Sequence, residues 1–519
     1  MKLALEWLTA RCAVVSIEDG GLHRSLQPHC LWLNEKKVAA VTHVVTPIFG
    51  LAPETAYTLR AEDGDGRAES LLFTTPHEFV TLNVRAFGAK GDGSANDTAA
   101  IQAAIEACPP ESRVWIPEGT YRVSHLFLKS GLRLEVGKGA VLAGIPNREG
   151  LPILPGAITS TDERAEYLLG TWEGNPLPMF ASLLTGIHIE NVQIYGEGVL
   201  DGMANTENWW KDVKSIRGAR RPRMVFLNHC ADITLAGITI QNSPAWHVHP
   251  WFSQRIRILA TQIRSPKNSP NTDGVNPDSC ADVEIKGVCF SVGDDCVALK
   301  SGKRYMGDTY ATPCERVRIS HCEMGDGHGA VTLGSEMSGG IRDILVEDCE
   351  FHDTDRGLRI KTRRGRGKNA VIDSVIFQRI QMRNVKTPFT ANCFYFCDPD
   401  GHAPEVQDRG TRPLEEATPK IRSLVFERIE CEGCHAAAAY FLGLPERPIG
   451  SVVMRDVNIA FAQDAQADVP VMADGVAPCA RQGIVAVNIE FLSLQNVNVY
   501  GAEGKTLRME NVSRYEQRG

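Results

Sequence analysis

Long apolar runs, a clean leader, a disulfide framework and a surplus of charge of one sign are all missing from this 519-residue chain. No stretch approaches the roughly 18 uncharged apolar residues of a membrane helix, so a membrane is not an expected partner. The opening residues, MKLALEWLTARCAVV, carry Glu6 and Arg11 inside their apolar run, and no small-residue cleavage site follows. Fifteen cysteines are present, an odd number, and most lie within strand-like segments, as Cys289, Cys322 and Cys349 do. That usage points to buried thiols in a reducing compartment. The expected location is cytoplasmic, or periplasmic or secreted if a leader was removed ahead of this numbering. Lys and Arg total 55 against 63 Asp and Glu, a net charge of −8. A mildly acidic chain is a poor general binder of nucleic acid, so none is expected as a partner. A polyanion would have to be held by a local basic patch.

Two further patterns fail on spacing. Cys431-x-x-Cys434-His435 finds only Cys393-x-x-x-Cys397 as a second close pair, whereas a structural zinc site normally needs two such pairs. These are read as core or turn thiols, and neither metal nor cofactor is expected. The Gly-rich run from Gly88 to Gly93 matches neither phosphate-loop spacing. It reads as a tight turn into a helix through Ile101, Ala104, Ile105 and Ala107, with Asn96 or Asp97 as N-cap.

What the chain does contain is β-patterned sequence throughout. Hydrophobic residues make up 43% and are spread over the whole length, which excludes extended disorder. Residues 1–78 show short alternating runs, such as Leu3-Leu5-Trp7 and Tyr57-Leu59-Ala61, separated by turn signals. From about residue 111 onward a loose repeat begins. Val283-Glu284-Ile285, Val317-Arg318-Ile319 and Ile344-Leu345-Val346 each open a segment. Asp294, His328 and Asp355 follow at the same offset, and then Val297-x-Leu299, Val331-x-Leu333 and Leu358-x-Ile360. Strand-rich periods of this size with no helices between them imply a β-solenoid whose stacked coils share one core. Residues 141–185 and 301–312 break the pattern and are expected to form loops walling one face.

In register, matching residues of neighbouring coils lie about 4.8 Å apart, so four polar clusters should form a ladder. They are Asn271-Thr272-Asp273, Asp294-Asp295, Gly327-His328-Gly329 and Arg359-Ile360-Lys361. Glycoside hydrolysis needs one carboxylic acid for the leaving oxygen and one carboxylate for water or the sugar. Three neighbouring acids repel, which keeps a proton on one of them near neutrality. Glycines flanking His328 allow close approach of a substrate. Arg359 and Lys361 alternate with apolar residues and should point outward, where they would bind an acidic sugar. Arg363, Arg364, Arg366 and Lys368 either extend that patch or form a solvated loop.

The clusters NTDG (Asn271 to Gly274), GDD (Gly293 to Asp295), GHG (Gly327 to Gly329) and RIK (Arg359 to Lys361) resemble the four signature motifs of the polygalacturonases, glycoside hydrolase family 28. The resemblance spans most of residues 82–400. It implies an all-β fold, a right-handed parallel β-helix, and inverting, metal-independent hydrolysis of α-1,4-galacturonosyl bonds in polygalacturonate or oligogalacturonates. Asp294 would be the general acid, Asp273 and Asp295 would activate water, and His328 would support the acid's proton state. Asn271, Arg359, Lys361 and Tyr395 would contact substrate. Leu51 to Leu59 resembles the fibronectin type III signature, in which the residue matching Tyr57 forms a corner. The division implied is a fibronectin type III-like β-sandwich at 1–78 and a catalytic β-helix at 79–519. That first domain and segment 141–185 resemble features of bacterial exo-acting members. Alternatives are hydrolysis of rhamnogalacturonan or xylogalacturonan, a Ca²⁺-dependent pectate lyase, and a non-catalytic carbohydrate-binding solenoid.

Overall fold

The computed structural model describes residues 1–159 and 166–518. Twenty-eight strands form one largely parallel sheet system wound as a β-helix, and helices are few and short. Its coils stack by one rule, that each inward row repeats an apolar residue. One row runs Ile258, Ile285, Ile319, Val346, Phe377, Phe426 in strict parallel register. A second runs Val248, Val275, Val297, Val331, Leu358, Phe389. All twelve are buried in one continuous core. No coil could hide its apolar face alone, so each is stabilised by the coil above and below.

The sequence repeat at Val283, Val317 and Ile344 is this register. Cys322 and Cys349 also stack, with the Cys322 N–H 3.5 Å from Cys349 Sγ. One corner of each coil requires positive φ, and it falls at Asp232, Arg255, Asp282, Arg316 and Asp343. Asp tolerates that conformation better than most residues. The alternating charges then pair down the stack, Arg255 with Asp232 and Arg316 with Asp282, each at 2.7 Å.

The helix expected after the Gly-rich turn is present as Thr98–Ala107, with Ile101, Ala104 and Ile105 closing the first coil's core. Asp97 occupies the N-cap position without capping the helix. Its carboxylate instead accepts the Lys90 and Gly91 N–H groups and so ties down the turn, while Asn96 Oδ1 accepts the Thr98 N–H.

Residues 2–74 build two antiparallel sheets of three and four strands. Their shared core holds Val15, Ile17, Leu31, Leu59 and Phe73. Strand Cys12–Glu18 is buried on both faces up to Ile17. Its outer face, with Trp7, Val44 and Val45, packs on Tyr195, Ala236 and Leu259 of the solenoid. Lys286 Nζ reaches Glu6 across this junction at 2.7 Å.

Two loop expectations need correction. Within 301–312 the chain forms a helix, Arg304–Tyr310, because Met306 finds an apolar seat beside Phe226 and Trp251. Of 141–185, residues 141–144 belong to the coil strand Ala140–Gly144. Two antiparallel pairs follow, Ile153–Leu154 with Met179–Phe180 and Ala157–Thr159 with Glu166–Leu168. Residues 160–165 of that segment lie outside the described residues.

Candidate active site

The two residues preceding consecutive strand rows supply the acids. Val275 pairs with Val297, so the register sets Asp273 beside Asp295, with Asp294 one residue before. One oxygen of each of the three carboxyls lies within 4.8 Å of the others. Asp273 and Asp295 are buried, and Asp294 is partly exposed. The glycines of the GHG cluster are there for packing. A Cβ on Gly329 would lie 2.4 Å from Thr332 Oγ1 and 3.0 Å from Asp295 Oδ1, and one on Gly327 would lie 2.6 Å from the Asp294 carbonyl. A larger residue at 329 would press on the Asp295 carboxyl, and one at 327 on the Asp294 backbone.

The acids differ in environment. Burial pushes the Asp273 carboxyl well above the ordinary carboxylate range, and the negative charge of Asp294 adds to the effect. Burial also acts against ionised Asp295, but Lys361 and Arg359 outweigh it and hold that carboxyl far below the ordinary range. Lys361 Nζ lies 2.8 Å from Asp295 Oδ2 and Arg359 Nη1 lies 3.0 Å from Oδ1. The site therefore keeps one acid protonated and one ionised, the division that acid–base chemistry requires.

The two cations point outward as expected, into a closed-in setting. They face away from the core, as their alternation with Leu358 and Ile360 dictates, yet both are buried. Tyr395 stands 5.6 Å from Lys361 Nζ at its ring centroid, and Met472 Sδ lies 3.1 Å from Arg359 Nη2. The neighbouring basic run is mostly not solvated either. Arg363 pairs with Asp398 and Asp400, Arg364 with Glu446 and Arg366 with Asp398, whereas Lys368 is exposed. Carboxylates from the chain after residue 397 reach this run, and spacing could not reveal them.

His328 is exposed at the rim, with Nδ1 2.8 Å from Asp355 Oδ2. That hydrogen bond raises the imidazole above its ordinary value in spite of partial burial. Asn271 takes a left-handed backbone conformation, and its Oδ1 accepts from Arg221 Nη2 at 2.5 Å. A cavity of about 460 Å³ joins these groups. Its lining includes Asn271, the three acids, His328, Arg359, Lys361 and Tyr395, so all eight expected site residues meet in one place. None of the lining residues comes from the first 78.

Residues 157–474, more than half of the chain, match the family Glycosyl hydrolases family 28. The chain belongs to this family. It is accordingly a glycoside hydrolase, which sets aside the lyase and non-catalytic readings. Among curated proteins it is 28% identical over 472 residues to a probable polygalacturonase of Vitis vinifera, covering 86% of this chain and 91% of that protein. It is 26% identical over 398 residues to an exo-poly-alpha-D-galacturonosidase of Dickeya chrysanthemi, covering 68% and 64%. An endo-polygalacturonase of Pectobacterium parmentieri is 27% identical over 348 residues, covering 64% and 79%. In fold it matches a Yersinia enterocolitica family 28 exopolygalacturonase at TM-score 0.72 and 19% identity, over 99% of this chain and 98% of that one.

The family 28 cleft also contains groups that the motif reading did not single out. Lys300 and Glu336 form a buried ion pair at 3.1 Å under the acids, and Lys300 Nζ lies 4.7 Å from the Trp246 ring centroid. Burial opposes ionised Glu336, but Lys300, Lys303 and Lys361 bring it down to about 2. Asp355 carries His328 and also pairs with Lys386 at 2.9 Å. Its sequence signal was its shared offset with Asp294 and His328. Glu173, from the irregular 141–185 segment, has no comparable signal, since only folding brings it to the cavity wall.

Proposed function

We propose that this enzyme hydrolyses α-1,4-galacturonosyl bonds in polygalacturonate or oligogalacturonates and acts from a chain end. The observation that carries the substrate class is the pair of buried cations, Arg359 and Lys361, set on Asp295 beside two further acids in a family 28 chain. Cations held in a dry site bind a uronate carboxylate strongly. The relatives named as polygalacturonases accord with it. End-wise action is supported by the walls beside the acids, where Glu173, Lys303, Asp398 and Met472 line the cavity. One relative is named for exo action and another for endo action, so the walls carry that part of the reading.

In the mechanism we assign, the galacturonate carboxylate takes up Arg359 and Lys361. This draws them from Asp295, which is a weak base while both cations hold it. The acid cluster then delivers its one proton through Asp294 to the leaving oxygen. Asp295, with Asp273 beside it, takes the proton of the attacking water. His328, raised by its bond to Asp355, lines the same cavity as Asp294 and is assigned to assist the proton transfer there. Inversion is the course the resemblance implies. The acids here stand closer than the roughly 6.5–9.5 Å usual for inverting pairs, so the first-formed anomer is an informative readout. From an α bond, a β product means inversion and an α product retention.

We further assign residues 1–78 to a fibronectin type III-like domain and residues 79–519 to the catalytic β-helix. Supporting this are the two antiparallel sheets and the Ala52 N–H, which donates to Tyr57 Oη at 2.9 Å as a tyrosine corner would. A cytoplasmic setting fits fifteen cysteines that all carry free thiols. A product time course on de-esterified polygalacturonate tests the function. Saturated mono- or digalacturonate from the first time points supports end-wise hydrolysis. A ladder of mixed oligomers overturns the end-wise part, and absence of products overturns the substrate.

A further inference from the structure

A second cluster of metal-ligating side chains lies away from the acidic cleft, where the N-terminal sheets meet the solenoid. His23 lies in the loop before strand Arg24–Leu33, His43 ends strand Lys36–His43, and Cys289 opens solenoid strand Cys289–Ser291. One ligand atom from each lies within 4.8 Å of the others. His23 Nε2 is 3.2 Å from Cys289 Sγ, and the two imidazole centroids are 4.9 Å apart, edge to face. Tetrahedral Zn²⁺ with ordinary Zn–N and Zn–S bonds separates its ligand atoms by roughly 3.3–3.8 Å. Small shifts would therefore seat an ion here.

Two independent features favour a ligand. His23 Nδ1 lies 2.7 Å from the His321 carbonyl oxygen. A carbonyl only accepts, so the proton sits on Nδ1 and the lone pair of Nε2 faces Cys289. Metal-bound histidines are commonly oriented by this kind of backbone bond. His321 returns the contact through Nδ1 to the Leu22 carbonyl at 2.6 Å, which locks the loop. The second feature is the next coil, where the register places Glu323 beside Cys289. A Glu323 carboxylate oxygen is 3.8 Å from His23 Nε2, and its other oxygen is 3.4 Å from His352 Nε2.

We propose that His23, His43, Cys289 and Glu323 form a structural Zn²⁺ site that clamps the N-terminal sheets to the solenoid. Two nitrogens, one sulfur and one carboxylate oxygen are a donor set suited to this ion in closed, tetrahedral form. Binding converts the Cys289 thiol to a thiolate and releases its proton to solvent. The ion joins residues hundreds of positions apart, so it restricts motion between the two units as a covalent cross-link would.

The test uses the full-length protein, stripped of metal and titrated with Zn²⁺ or Co²⁺ alone. One Zn²⁺ per chain, a raised Tm and a thiolate-to-Co²⁺ charge-transfer band are expected. The band should vanish in Cys289→Ser, and Zn²⁺ affinity should fall at least about tenfold in His43→Gln. Cys431→Ser is the control and should retain the band. Absence of the band from the unmodified protein overturns the proposal whatever the variants do. A band that survives Cys289→Ser but is lost in Cys431→Ser also overturns it. Metal held only by the three cleft carboxylates would show no thiolate band and would be the same negative result.

Discussion

Lys361→Met probes the link between substrate charge and the state of Asp295. Lys361 Nζ is 2.8 Å from Asp295 Oδ2, and Asp295 is 1% exposed. At an effective dielectric constant of about 20, opposite charges roughly 3 Å apart attract by about 5 kcal/mol before desolvation. Arg359 stays on the other oxygen and methionine preserves the stem. The net loss is then that of one charged hydrogen bond, about 1.5–3 kcal/mol. If the uronate carboxylate takes over this ammonium, kcat/KM on de-esterified oligomers should fall roughly 10- to 150-fold at 1.36 kcal/mol per decade. A methyl-esterified oligomer offers no charge, so its already slow rate should change only a few-fold. Initial rates of reducing-end release on matched oligomers measure both. An equal loss on the two substrates would refute the argument. Acid unfolding supplies a second readout. Asp295 has a depressed folded pKa, so its stabilising contribution is present above the ordinary carboxylate range and lost as pH falls through the folded value. Removing Lys361 raises that value, and the acid midpoint should move to higher pH.

Other perturbations separate the remaining roles. Asp294→Asn should lower kcat by about 10²–10⁴ while oligogalacturonate binding stays within a few-fold, as read by single-turnover rates and calorimetry; unchanged turnover would remove Asp294 from the mechanism. Asp355→Asn removes the negative charge from the bond that raises His328. A raised folded value means the charge and its stabilisation are complete below the unfolded pKa and lost as pH rises through the folded one, so the alkaline limb of kcat should move to lower pH. A limb that stays in place would show that His328 does not govern it. Tyr57→Phe removes the hydroxyl that accepts the Ala52 N–H and should cost about 1 kcal/mol, seen in chemical denaturation with activity retained. Phe426→Ala opens the stacked core between Phe377, Phe389 and Phe441 and should cost about 3–5 kcal/mol.

Much of the solenoid is legible in the sequence because its physics is local and repeated. A coil that must bury a β-branched or aromatic residue at each inward position writes that demand into every period. The offset from Val283 to Asp294 can therefore be matched with that from Val317 to His328 by periodicity alone. The acids are legible for the same reason, since they sit just before strands whose register the repeat already implies. The register does, however, place Asp273 beside Asp295 and not Asp294, a distinction that sequence offsets leave open. The helix Arg304–Tyr310 is not legible, because seven residues with Gly and aromatics carry no helical period and only the seat beside Phe226 and Trp251 favours that form.

Periodicity and side-chain alternation along the chain are enough to set the stacked apolar rows, the three carboxylates and imidazole of one face, and the outward direction of Arg359 and Lys361. What those groups face is settled only when the coils and loops close on one another. Folding made the two outward cations partners of Asp295 and paired His328 with Asp355. It brought Glu173 to the cavity wall, and it set His23 and His43 against Cys289. Those contacts join residues tens to hundreds of positions apart. Their energies depend on burial and distance, which no local pattern encodes.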